Sequence, residues 1–204
     1  TTSIGTLLEE NAEQVTALDQ AIGDGHHVTN LQRGLKALKA QESEFIALDW
    51  QAAWQKLGMI LMSTVGGASG SLYGTLFVTM SKAVHGLQLD RPGFATVFAE
   101  GVASVKLRGK ADVGEKTMLD VLVPVAEYLQ QAPEEIALPA ILESIAKVAD
   151  DGVESTRDMI ATKGRASFLG ERTRGHIDAG AKTAQLMISA IVAVLLQRLT
   201  APSQ

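Results

Sequence analysis

Apolar residues recur at helical spacing in eight successive stretches of this chain, and no stretch alternates as a half-buried strand does. That pattern predicts an all-α fold. Ile4, Leu7, Leu8, Ala12, Val15 and Leu18 predict a helix over 4–18, and Leu31, Leu35 and Leu38 predict one over 28–38. Asp49 is placed to cap a helix from Trp50 to about Thr64, with Trp50, Ala53, Trp54, Leu57, Ile60 and Leu61 on its apolar side. Leu72, Leu76, Met80 and Ala83 predict a helix from Leu72 to about His85, ended by Gly86. Pro92 suits the first turn of the next, which Lys106 to Lys110 close. Met118 to Leu122 begin another, with Pro124 predicting a kink or a late start. Helices over about 138–161 and 182–199 complete the set. Aromatic residues make up only 4%, which further weakens an all-β reading. The 204 residues contain no internal repeat and no low-complexity linker, so residues 1–204 read as a single domain.

Composition narrows the function classes. A formal net charge of -5 argues against nonspecific nucleic-acid binding, which rests on neutralising phosphates. The absence of cysteine excludes disulfides and thiolate metal sites and fits a cytoplasmic location. Thr1 to Gly5 carry no basic segment followed by an apolar run, so no secretory signal is expected. The apolar run Ala184–Leu196 contains Gln185 and Ser189 and is too short to span a bilayer. It reads as a core helix, and no membrane partner is expected.

The chemistry-bearing residues fall in the turns. Leu18-Asp19-Gln20-Ala21-Ile22-Gly23-Asp24-Gly25-His26-His27-Val28-Thr29-Asn30 crowds two carboxylates, two imidazoles and glycines into one short stretch. Carboxylates this close repel unless a cation lies between them, and a hard cation such as Mg²⁺ would accept their oxygens. A helix cap with a solvated acid accounts for the same residues equally well. Val65-Gly66-Gly67-Ala68-Ser69-Gly70 runs straight into a helix, whose unpaired amides suit an anion. It is not a Walker motif, because no Lys-Ser or Lys-Thr follows. Lys163 and Arg165 add basic groups, and Asp178 lies in a fourth glycine-bearing turn. In an up-and-down bundle, alternate turns share one rim, which would gather these groups around one pocket.

Taken together, these motifs resemble DhaL, the nucleotide-binding subunit of the dihydroxyacetone (glycerone) kinases. The resemblance rests on Leu18-Asp19, Ile22-Gly23-Asp24-Gly25, His27 and Asn30; on Val65 to Gly70; on Arg108-Gly109-Lys110-Ala111; on Gly114-Glu115-Lys116-Thr117-Met118; on Lys163 to Arg172; and on Gly175-His176 with Asp178. It implies an antiparallel eight-helix barrel with ADP or ATP at one end. It implies that Asp19, Asp24 and His26 occupy the metal positions, where the family holds two Mg²⁺ ions with three aspartates. Nucleotide contacts would fall to His27, Asn30, Ala68, Ser69, Gly109, Met118, Arg165, Asp178 and Gly180.

A separate chain of this length resembles the members that keep ADP bound and have it rephosphorylated by a phosphotransferase-system partner of the DhaM type. Dihydroxyacetone would sit on a DhaK-type subunit, and a homodimer stays open as an assembly. The chain departs from the family pattern twice. His26-His27-Val28 stands where the family has Asp-His-Gly, and Asp178-Ala179-Gly180 where it has Asp-Pro-Gly. Imidazole is a poorer Mg²⁺ ligand than carboxylate. Two further readings therefore stand beside the kinase subunit: a nucleotide-binding regulatory module with weak or no transfer activity, and a kinase subunit for another acceptor.

Overall fold

The structure is a computed structural model and describes residues 2–201. Among those residues nine α-helices form, with no strand: α1 (Thr2–Glu10), α2 (Ala12–Ile22), α3 (His27–Ala40), α4 (Trp50–Thr64), α5 (Gly67–Ala83), α6 (Arg91–Gly109), α7 (Leu119–Gln131), α8 (Leu138–Ser155) and α9 (Ala179–Thr200). The first two are one bent rod. Asn11 leaves helical geometry at φ -104°, ψ 8°, yet its N–H still donates to Leu7 O (3.2 Å) and its carbonyl still accepts from Val15 N (3.0 Å). The single helix expected over 4–18 is thus broken at Asn11 and extended to Ile22. Asn11 Nδ2 donates back to Leu7 O (2.8 Å), a local bond that competes with the helical ladder.

Each rod packs on the next in sequence, and α9 packs back on α1 and α2. Eight antiparallel rods therefore close into a barrel. Its main core gathers Trp54, Leu76, Val97, Val105, Leu119, Val121, Val125, Ile141 and Ala184 from α4 to α9. A second cluster of Leu8, Val15, Val28, Ala179 and Leu186 closes the seam between first and last rods. Helix α9 is 22 residues long and apolar enough to cross a bilayer by composition alone. It packs here against α1, α2, α7 and α8.

Several boundaries differ from expectation for local reasons. Asp49 Oδ1 caps α4 through Ala52 N (2.8 Å), but Trp50 is 60% exposed and only packs its ring at a tilt against Trp54. Helix α5 begins at Gly67, so the glycine turn is itself its first turn rather than a preceding loop. Pro124 sits inside α7, which starts at Leu119. Proline cannot donate to the Asp120 carbonyl one turn back. Helix α8 comes close there: a Cβ on Gly152 would lie 2.5 Å from Asp120 O. Helix α8 stops at Ser155, not near 161, and α9 starts at Ala179, where Asp178 caps it through Ala181 N (2.7 Å). Between them, 156–158 and 165–173 form 3₁₀ turns across one end of the barrel.

Helices α4 and α5 also cross closely. A Cβ on Gly58 would meet Gly74 O at 2.8 Å and Val78 N at 3.0 Å, both backbone atoms that cannot rotate away. Gly58→Ala is therefore expected to destabilise the fold by about 1–3 kcal/mol. At roughly 2–4 °C per kcal/mol for a chain of this size, thermal melting should register the drop; an unchanged melting temperature would mean that the helices separate freely.

Candidate functional site

The connections 22–27, 64–67, 109–119 and 155–179 all lie at one end of the barrel, and they surround a cavity of about 770 Å³. All twelve residues singled out from the sequence line it: Asp19, Asp24, His26, His27, Asn30, Ala68, Ser69, Gly109, Met118, Arg165, Asp178 and Gly180. The alternation of a simple up-and-down barrel is the cause. The first, third, fifth and seventh connections between the eight rods share a rim, and the chemistry lies in those turns.

The acidic wall comes from the end of α2. Asp19 stands on the last turn, and its carboxylate folds over Gly23, where a Cβ would meet Asp19 Oδ1 at 2.1 Å. Asp19 Oδ2 accepts the His27 N–H at 3.0 Å. Asp24 Oδ1 accepts the His26 N–H at 3.1 Å, and its other oxygen pairs with Arg165 at 2.8 Å. The His26 amide holds the Asp24 carboxyl below the ordinary carboxylate range; burial opposes it, and the Arg165 guanidinium adds to it. The His26 side chain is 71% exposed, with Nδ1 3.5 Å from Asp24.

Among the described residues no three His, Asp or Glu side chains converge as a metal cage. Two carboxylates on one wall suit Mg²⁺, which is held by one or two carboxylates with water and substrate phosphates completing its shell. They do not suit an all-protein site.

The opposite wall is the start of α5. Gly66 caps it with no side-chain bond, so the first amides of the helix have no intrahelical partner. Gly67 takes φ +69°, a conformation that glycine adopts without strain. Asn30 packs against this turn, its Oδ1 2.7 Å from where a Gly66 Cβ would lie, and it accepts from Arg33. His27 is the bridge between walls. Its Nδ1 lies 3.2 Å from Ser69 Oγ and its Nε2 2.9 Å from Thr183 Oγ1. Burial pushes the His27 ring below its ordinary pKa, against Asp19 and Asp24, which favour the charged form. Deeper in, Leu72, Val105, Ala111, Met118 and Leu119 give the cavity an apolar wall.

Three residues in and around the cavity carry structure that sequence alone did not single out. Lys116 is 2% exposed, and its ammonium donates to the carbonyls of Thr156 and His176. Tyr73 lines the cavity with a hydroxyl that is buried and has no hydrogen-bond partner. Thr183, fully buried, contacts His27. A lysine between turn residues and a threonine on an apolar helix give no sequence signal of burial. Lys163, one of the two basic groups of its turn, pairs with Glu115 at 3.3 Å.

Comparison with known proteins identifies relatives of the whole chain. A family model described as the DAK2 domain matches residues 21–193. The chain is 42% identical over 188 residues to the ADP-binding subunit DhaL of PEP-dependent dihydroxyacetone kinase 1 from Listeria innocua, covering 92% of this chain and 90% of that one. It is 39% identical over 189 residues to the ADP-binding subunit DhaL of the PEP-dependent dihydroxyacetone kinase of Escherichia coli, with the same coverage. Among solved structures it resembles the dihydroxyacetone kinase of C. freundii, with a TM-score of 0.74 and 22% identity over 94% of this chain. The chain spans about a third of that protein's length, 33%. A second structure of the same kinase, in complex with AMP-PNP and Mg²⁺, matches with a TM-score of 0.73.

Asp178 gives this site a pH signature. Burial pushes its carboxyl up from 3.8 to about 6, helped by the Asp120 charge and opposed by the Ala181 amide and the Lys116 ammonium. Between those values the folded chain holds a proton that the unfolded chain has lost. The stabilisation is complete below pH 3.8 and is lost as pH rises through about 6. Its ceiling is about 3 kcal/mol. Asp178→Asn keeps a capping oxygen and removes the titration, so its melting temperature should vary less between pH 4 and 7 than that of the wild type. Parallel profiles for the two proteins would remove Asp178 as the source.

Proposed function

The chain belongs to the DAK2-domain family, and on that premise we propose that it is the ADP-binding subunit of a cytoplasmic dihydroxyacetone kinase. In this reading it presents a Mg-nucleotide to dihydroxyacetone held on a DhaK-type subunit, and a DhaM-type donor of the phosphotransferase system recharges the nucleotide. The observation that carries the reading is one cavity. An unpaired helix N-terminus, two carboxylates, an arginine and an apolar wall all converge on it.

Each wall has a distinct task. The first amides of α5 and the Ser69 hydroxyl would receive phosphate oxygens, since a helix N-terminus offers unpaired N–H groups and a favourable dipole. Met118, Leu72 and Val105 would cover the base. Arg165 would offset negative charge once freed from Asp24, its planar fork matching phosphate geometry. Asp19 and Asp24 would hold Mg²⁺, which when bound neutralises charge developing on the transferred group. Phosphoryl transfer needs alignment and charge compensation more than covalent help. No general base is assigned to this chain, because the acceptor hydroxyl would be activated on the partner.

One observation favours a second reading. Where a third carboxylate would stand, His26 presents a mostly exposed imidazole. A nucleotide-binding module with weak transfer would follow if two carboxylates hold the metal too loosely.

Purified protein is expected to carry ADP. Denaturing it and analysing the supernatant by mass spectrometry tests this, and an empty site with no thermal shift on adding Mg-ADP would overturn the proposal. His26→Asp is expected to tighten Mg²⁺ binding by restoring a carboxylate, read by titration calorimetry in the presence of ADP. A transfer assay with a DhaK-type subunit and dihydroxyacetone then separates the readings. An active wild type supports the kinase subunit, and a silent wild type rescued by His26→Asp supports the binding module.

A further inference from the structure

Thr183 lies on α9, one turn past the Asp178 cap, and is fully buried. A hydroxyl has one hydrogen to give. That of Thr183 goes to the Gly180 carbonyl at 3.0 Å. Toward His27 Nε2, 2.9 Å away, Thr183 Oγ1 is left as an acceptor, so Nε2 carries the hydrogen. In a neutral ring Nδ1 is then a bare lone pair. Its neighbour, the Ser69 hydroxyl at 3.2 Å, donates to it. The Tyr73 hydroxyl, buried without a partner, lies beside Thr183, whose remaining lone pair is its nearest means of satisfaction. Leaving a buried hydroxyl unpaired is unfavourable, which favours a small shift to close that bond.

We propose that Thr183 is a positioning residue for the nucleotide site: it fixes His27 in its Nε2–H tautomer, and through His27 Nδ1 it holds the Ser69 side chain at the mouth of α5. Thr183 itself does not line the cavity. Its effect reaches the ligand through one imidazole that connects the last helix of the barrel to the start of α5. The hydrogen-bond directions follow from Thr183 giving its one hydrogen to the Gly180 carbonyl, whereas their consequence for affinity rests on the nucleotide-binding reading above.

The test uses full-length protein with ¹⁵N-labelled histidine, and His27→Gln identifies the His27 signals. In the wild type without nucleotide, the ring nitrogens are expected to report a protonated Nε2 and a bare, hydrogen-bonded Nδ1. Thr183→Val is expected to mix the two tautomers and to weaken ADP binding about fivefold, the size of one lost hydrogen bond. Thr183→Ser keeps the hydroxyl and should restore both readouts. A proton on Nδ1 in the wild type would overturn the inference, and this outcome does not depend on any variant folding. So would an unchanged tautomer in Thr183→Val, or failure of Thr183→Ser to restore it. If wild-type protein does not bind ADP at all, the nucleotide reading falls while the tautomer measurement still decides the role of Thr183.

Discussion

A single buried ammonium holds two of the four rim connections in register. Lys116 reaches back from the turn before α7 to the carbonyl of Thr156 at the end of α8 and to that of His176 before α9. Burying an ammonium is costly unless hydrogen bonds and opposite charge compensate it. Here the carbonyls supply the first, and Asp178 and Asp120 the second. Lys116 adopts φ 62°, a left-handed conformation unusual for a side chain of this size. The surrounding bonds impose it: Asp120 accepts the amides of Gly114 and Thr117 on either side. With the lysine removed, the Thr156 and His176 carbonyls would lose their partner, and Asp178 would lose its nearest cation. The apolar wall at Met118 and the cap of α9 would then loosen together.

That dependence also explains which parts of the molecule were legible in the sequence. Helical periodicity marked every rod, because burial on one face enforces it at each turn. Asp49 and Pro92 marked helix starts, because caps and first-turn prolines act through neighbouring residues only. The cavity residues were legible because glycine and charged groups cluster at the same ends of successive helices. What escaped depends on distant contacts. Helix α8 stops at Ser155 because the Thr156 carbonyl is claimed by Lys116 and the Thr156 hydroxyl accepts from Asp178 N. Nothing within the 138–161 stretch records either demand. The burial of Lys116 and the contact of Thr183 with His27 were hidden for related reasons.

The electrostatics of the rim are self-compensating. Asp24 is satisfied by Arg165 and by the His26 amide, and Glu115 by Thr162 and Lys163. The long 155–179 connection is therefore fastened across the mouth by ion pairs exposed enough to exchange readily with water and salt. A cation entering at Asp24 competes with a guanidinium for one carboxylate oxygen. An anion entering at the α5 terminus attracts that same guanidinium. In the proposed reading, the two arrivals would favour each other.

The closed ring has a consequence for how such a unit can be joined to others. Helix α1 starts, and α9 ends, at the end of the barrel away from the cavity, and the two helices pack side by side. A polypeptide entering or leaving there does so from neighbouring points, about 1.5 Å per residue down the long α9 from the rim where ligands meet protein. The same architecture can therefore work as a free-standing chain or as one module threaded into a longer polypeptide, with the mouth facing outward in either arrangement.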